Sequence, residues 1–185
     1  WMRAGFWVRC VSFHSDDISL CVEVANSNGD YLPSALELFE WMSEQTGIVA
    51  HNAGYEAGVI FAMTDVMPTP FACTYALLMS LANESSPGQS ARLKQAGPEL
   101  LGWEVWDKAI GPKDKMATID FETLGLYCQL DSAATWNLYL ICCQAVEEHK
   151  DTWGQWFWGW YHEDLTNVLM LQQEAYVQSL HVDTK

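Results

Sequence analysis

Residues 47–60, GIVAHNAGYEAGVI, decide how this chain is read. Ile48-Val49-Ala50 is a short apolar run of the length and composition of a buried strand. His51-Asn52 and Ala53-Gly54 interrupt it, and from Gly54 to Asp65 the apolar residues recur at helical spacing. A strand running into a helix this way puts Asn52 and Glu56 at the carboxyl edge of a sheet, where open α/β folds place their chemistry. A polar turn followed by an ordinary helix, its early Glu complementing the dipole, would have the same local pattern.

Working outward, Phe6–Phe13 (FWVRCVSF) and Ile18–Val24 (ISLCVEV) are β-rich runs around His14-Ser-Asp-Asp17, the pattern of a hairpin. Pro33–Gln45 predicts a helix, with Pro in its first turn and Gly47 just past its end. Downstream, Met67-Pro-Thr-Pro70 breaks the chain, and Phe71–Leu81 reads as a strand end entering a helix. Asn83–Ser90 reads as a loop, Ala91–Leu101 as a short helix closed by Gly102, and Trp103–Thr118 as irregular. From Asp120 to Lys150 apolar positions repeat every three to four residues, which predicts a long helix. Asp151–Trp160 (DTWGQWFWGW) is an aromatic knot, and Tyr161–Leu180 has the pattern of one more amphipathic helix.

With 185 residues, half of them apolar, the chain can bury a real core and is globular rather than disordered. A net charge of −15 argues against a bulk electrostatic grip on nucleic acid. It leaves room for a metal-dependent nuclease, whose ion-holding carboxylates are themselves negative. The six cysteines (10, 21, 73, 128, 142 and 143) include no CxxC pair and no zinc spacing. With no secretory leader they are expected to be small buried hydrophobes in a reducing compartment, the cytoplasm. No apolar run reaches membrane-spanning length, so no membrane partner is expected. The chain opens at Trp1 and stops at Lys185 without a recognisable terminal element, the expectation for a piece of something longer.

A second constellation lies on the long helix. In Tyr127-Cys-Gln-Leu-Asp131 a spacing of four sets a phenol and a carboxylate on one helical face, one turn apart. A carboxylate that holds a divalent ion beside a phenol that orients water suits two-metal phosphodiester hydrolysis. An exposed i, i+4 polar pair is the common alternative.

Taken together, HNAGYE and, about seventy residues on, YCQLD followed by SAATWNLY resemble the second and third motifs of the proofreading 3′–5′ exonuclease domain of family-A DNA polymerases, most nearly the phage type. That domain is the DnaQ-like, ribonuclease-H-like fold in its tyrosine-bearing (DEDDy) subclass. FACTYALLMSLANE and SARLKQAGPELLGWEVWDK are similar to the segments between those motifs. FWGWYHEDLTNVLMLQQEAYVQSLHVDTK is similar to the helix that enters the polymerase proper.

The resemblance implies an α/β fold with a mixed central sheet flanked by helices. Residues 1–150 would be exonuclease-like, and 151–185 an aromatic linker and helix leading toward a polymerase domain of the same parent chain. It implies Glu56 and Asp131 as ligands of Mg²⁺ or Mn²⁺, with Tyr127 positioning the attacking water. Asn52 and Tyr55 would contact the single-stranded 3′ end of DNA, and His51 would be structural. If phage-encoded, the protein would work in the host cytoplasm.

The family's first motif, Asp-x-Glu on the first strand, has no counterpart in WMRAG, residues 1–5. The first strand is expected to be missing, because without it the hairpin and the Ile48–Ala50 strand would face each other with unpaired edges. Hairpin residues paired directly to Ile48–Ala50 would refute that expectation. Asp120-Phe-Glu122-Thr123 imitates the motif but stands after the second one, and reads as a helix cap.

Five basic residues (Arg92, Lys94, Lys108, Lys113, Lys115) cluster between 92 and 115, as a solvated loop or a phosphate-contacting patch. The Trp153–Trp160 cluster suits packing against a polymerase body, base stacking, or a membrane surface.

The functional expectation is therefore proofreading removal of 3′-terminal nucleotides, with this chain inactive unless the upstream acids are supplied. A catalytically degenerate module of the same fold is the first alternative. An unrelated helical interaction protein is the second, and it leaves two motifs in the right order unexplained.

Overall fold

The computed structural model describes residues 7–68, 72–81, 91–110, 116 and 118–162. Over these residues the protein is mixed α/β, predominantly helical with small sheets. It comprises two compact units. One is drawn from the described residues of Leu36–Gly88 and Tyr139–Lys185, the other from those of Met2–Ala35 and Gln89–Leu138.

The second unit opens with the expected hairpin. Strand β1 (Cys10–His14) pairs antiparallel with β2 (Ser19–Glu23), and Cys10 faces Glu23 while Ser12 faces Cys21. Alternation then puts Cys10, Ser12 and Cys21 on one face of the ribbon. That face meets helix α5 (Phe121–Glu148): the Ser12 hydroxyl donates to the Cys128 carbonyl at 2.9 Å. Small side chains suit this close approach. A Cβ added at Gly125 would lie 3.6 Å from the Cys21 Cβ.

Helix α5 starts where its cap predicts. Thr123 N–H donates to the Asp120 carboxylate at 2.8 Å, which holds that carboxyl below the usual range. Asp120-Phe-Glu122 is thus a helix start. Arg9, beside β1, donates to the carbonyls of Met116 and Ile119 and ties the approach to α5 onto the hairpin.

Between hairpin and α5 in the chain come α4 (Leu93–Ala96), a wider turn over Gly97–Leu101 closing at Gly102, and a 3₁₀ turn over Asp107–Ala109. These segments pack a core of Trp106, Ile110, Tyr127 and Ala134, flanked by Leu93, Trp103 and Leu130. Gly97 is required here. A Cβ on it would come within 2.6 Å of the Trp106 ring.

The first unit holds α1 (Ala35–Glu44, begun at the unit boundary), β3 (Val49–Ala50), α2 (Gly54–Thr64), β4 (Ala72–Cys73) and α3 (Thr74–Leu81). Strands β3 and β4 pair in parallel, joined by α2 as a crossover. Four consecutive residues of α2, Ala57 to Ile60, are buried, as befits a helix apolar all round. The aromatic knot forms a turn over Lys150–Gly154 and then α6 (Gln155–Trp160). Just past α6, Tyr161 is fully buried; its hydroxyl accepts from Cys73 N–H and donates to Cys73 C=O, closing the free side of β4.

The described strands form two separate two-stranded sheets, where the sequence suggested one mixed central sheet. No ladder among the described residues pairs the hairpin with β3. The loop over 83–90 and the helix over 163–180 fall outside the described residues, as do Lys113 and Lys115. No described helix is long and apolar enough to cross a membrane.

Candidate functional site

The focal strand-to-helix junction has the predicted form. Asn52 takes a left-handed backbone conformation (φ 62°), one that Asn tolerates better than most residues, and its carbonyl accepts from Tyr55 N–H at 2.8 Å. The reversal turns the chain from β3 into α2 and leaves Asn52 exposed. His51 Nδ1 lies 2.8 Å from the Thr74 hydroxyl and its ring meets Tyr75 edge-on, so His51 links the ends of the two parallel strands. That agrees with its structural reading.

Glu56 sits in the first turn of α2. Its Oε2 is sealed from solvent and has no hydrogen-bond partner. Burial pushes the Glu56 carboxyl up to about 8, against a smaller pull from its own backbone N–H. Tyr55 beside it is half-buried, and burial together with the Glu56 charge raises its phenol.

Tyr127 and Asp131 share one face of α5, as their spacing predicts. What the sequence did not show is what meets them. The Lys94 ammonium, brought in by α4, pairs with Asp131 Oδ1 and lies 4.0 Å from the Tyr127 ring centre and 4.4 Å from that of Trp106. Trp106 Nε1 donates to the same Oδ1 at 2.6 Å. Burial lowers the Lys94 pKa, opposed by Asp131. The Tyr127 phenol is raised by burial first, then by the Asp131 charge and its hydrogen bond.

Lys94 therefore departs from the solvated-loop reading of the basic cluster, while Arg92 and Lys108 are exposed. No local pattern in the sequence marked Lys94, because α4 carries it to the pair through tertiary packing.

Glu56 and Asp131 belong to different compact units. Divalent-ion chemistry needs several free carboxylate oxygens turned toward one ion. Glu56 has a free buried oxygen, but Asp131 Oδ1 is already neutralised by an ammonium. Among the described residues, the side chains placed to share an ion are instead three thiols, Cys10, Cys21 and Cys128, whose Sγ atoms all lie within 4.8 Å of one another. They could hold a metal. Among the described residues, the Asp131 oxygen held by Lys94 is not free for Mg²⁺ or Mn²⁺.

No protein-family model matches this chain, and neither a curated protein nor a solved structure matches it.

Proposed function

We propose that the chain is the 3′–5′ exonuclease-like module of a family-A DNA polymerase, of ribonuclease-H-like descent, that receives a single-stranded 3′ end and does not hydrolyse it with its own residues alone. The observation that supports this reading most is the Tyr127–Asp131 pair on α5 with Lys94 held over it. An ammonium resting on two aromatic rings and a carboxylate can exchange that carboxylate for a phosphate oxygen. Asn52 and Tyr55, at the exposed turn before α2, are the residues of the other motif that would contact the end. Cleavage by Mg²⁺ or Mn²⁺ would need acids beyond Glu56 and Asp131, in the role of the Asp-x-Glu pair, and release of Asp131 from Lys94.

A catalytically degenerate module that only supports its polymerase is the second reading. It is favoured by the same Lys94–Asp131 pair, taken as a permanent lock. Fluorescence anisotropy with a labelled single-stranded oligonucleotide, in low salt with Mg²⁺, separates the two. The first reading expects 3′-end binding without shortening of the strand, weakened about tenfold in Lys94→Ala, a loss of roughly 1.4 kcal/mol. Absence of end binding would leave the degenerate module. Shortening of DNA by the chain itself, persisting in Asp131→Ala, would overturn both.

A further inference from the structure

Cys10, Cys21 and Cys128 lie 11 or more positions apart in the sequence, on β1, β2 and α5. The hairpin register makes Cys10 and Cys21 diagonal neighbours on the face that meets α5, and Cys128 Sγ comes 3.6 Å from Cys10 Sγ. We propose that this cluster binds one thiophilic d¹⁰ cation, zinc above all, through three thiolates, with the fourth position taken by water.

The spacing is that of a coordination shell. A Zn–S bond of about 2.3 Å and a tetrahedral angle set ligand sulfurs about 3.8 Å apart. The three Sγ atoms span 3.6 Å to at most 4.8 Å, so shifts of no more than about 1 Å complete the site. Simple packing of small side chains would bring the residues near one another but would not require all three sulfurs to converge on one point.

The framework around them is fixed. Ser12, between the strands' cysteines, donates to the Cys128 carbonyl and touches the Ser132 hydroxyl. Gly125 lets α5 settle close to Cys21. Such supporting contacts orient ligands before the ion arrives. All six cysteines are free of disulfides, so the three are available as ligands.

Ligand chemistry selects the ion. Sulfur donors favour zinc and Cu⁺ over Mg²⁺ or Mn²⁺, which makes this site independent of any carboxylate ion site and of the function proposed above. Without the cation the cluster is neutral. For Cys10 the contact with Cys128 favours the thiolate, but the bond to Cys21 and burial outweigh it and push the thiol up to about 12. For Cys128 the contact with Cys10 and burial do the same.

Binding then replaces three S–H bonds by three Zn–S bonds and releases three protons to solvent, giving a site of net charge −1. Arg9 favours the charged form at Cys10, Glu23 opposes it at Cys21, and Asp131 opposes it at Cys128, with Lys94 nearby on the favourable side.

The test uses the purified, fully reduced chain under anaerobic conditions, titrated with Zn²⁺ and, as an optical probe, with Cd²⁺. One equivalent is expected to remain after dialysis, with a cadmium–thiolate charge-transfer band. Cys10→Ser, Cys21→Ser and Cys128→Ser should each weaken binding at least about 100-fold, the upper end of what a supporting contact alone costs. Cys143→Ser should leave it unchanged.

Because a serine variant can misfold, alkylation of the wild-type chain mapped by mass spectrometry gives a second readout. Zinc should protect Cys10, Cys21 and Cys128 and leave Cys143 reactive. Retention of zinc by all three serine variants, or equal alkylation with and without zinc, would overturn the proposal. So would a reduced chain that takes up no metal and merely forms a Cys10–Cys128 disulfide in air.

Discussion

Lys94 and Asp131, 37 positions apart in the chain, meet side chain to side chain with only 24% and 29% of those side chains exposed. A pair this shielded is neither a surface ion pair of negligible worth nor a fully buried one that must offset a large desolvation cost. Its surroundings decide its value. The indole N–H of Trp106 shares the carboxylate, and two aromatic rings cover the ammonium.

Lys94→Met keeps the aliphatic stem over Tyr127 and removes the charge, leaving Asp131 with Trp106 and Tyr127 as donors. The variant is expected to lose about 1–3 kcal/mol of stability in urea denaturation, the range for hydrogen bonds to charged groups. Asp131→Asn should lose a similar amount, and the double variant clearly less than the sum. Additive losses would mean that the two side chains are not energetically coupled.

Gly97→Ala tests the same site from behind. The new methyl would sit 2.6 Å from the Trp106 ring, so the indole, whose Nε1 bonds Asp131, must shift. A cost of about 1–3 kcal/mol is expected for this overpacking. Combined with Asp131→Asn the loss should again fall short of the sum, since both act through Trp106. A neutral Gly97→Ala would show that the indole has room to retreat.

Gly154→Ala acts at the end of α5. There a Cβ would lie 2.3 Å from the Val146 carbonyl oxygen and 2.9 Å from His149, backbone on both sides. No side-chain rotation relieves that clash, so the junction into α6 must open, and a loss near 3 kcal/mol is expected in thermal unfolding. Gly159→Ala is the control. Nothing lies within 4 Å of its Cβ position, on an exposed helical site, and it should gain about 0.5–1 kcal/mol.

The elements were legible where local chemistry is strong. Periodicity located α5 to within a few residues, the cap at Asp120 fixed its start, and the β-rich runs around His14–Asp17 gave the hairpin. The same strand-turn-helix logic found β3 and α2. The site was only half legible, because Tyr127–Asp131 is set by one helix's own spacing, whereas Lys94 and Trp106 reach it through tertiary packing that no local pattern encodes.

The thiol cluster was illegible as a metal spacing for a related reason. Its ligands are not neighbours in sequence but diagonal partners across a hairpin plus a helix. Only hairpin parity, which puts Cys10 and Cys21 on one face once the turn is fixed, was open to sequence reasoning.

Glu56 makes the stability of the protein fall with rising pH. Its folded carboxyl titrates at about 8, against an ordinary value of 4.5. Between those values the folded chain keeps a proton that the unfolded chain has released, so unfolding becomes easier as pH rises through the window and levels off above it. The accumulated loss amounts to a few kcal/mol, since every tenfold difference in proton affinity between the folded and unfolded chain corresponds to about 1.4 kcal/mol. Glu56→Gln holds the shape with a permanently neutral group. It should match the wild-type chain near pH 5 and exceed it in urea denaturation at pH 8, with the descending limb flattened. Parallel curves for the two proteins across that range would mean that Glu56 is hydrated or paired in solution, and the buried, partnerless oxygen that sets it apart from the other described acids would lose its significance for ion binding.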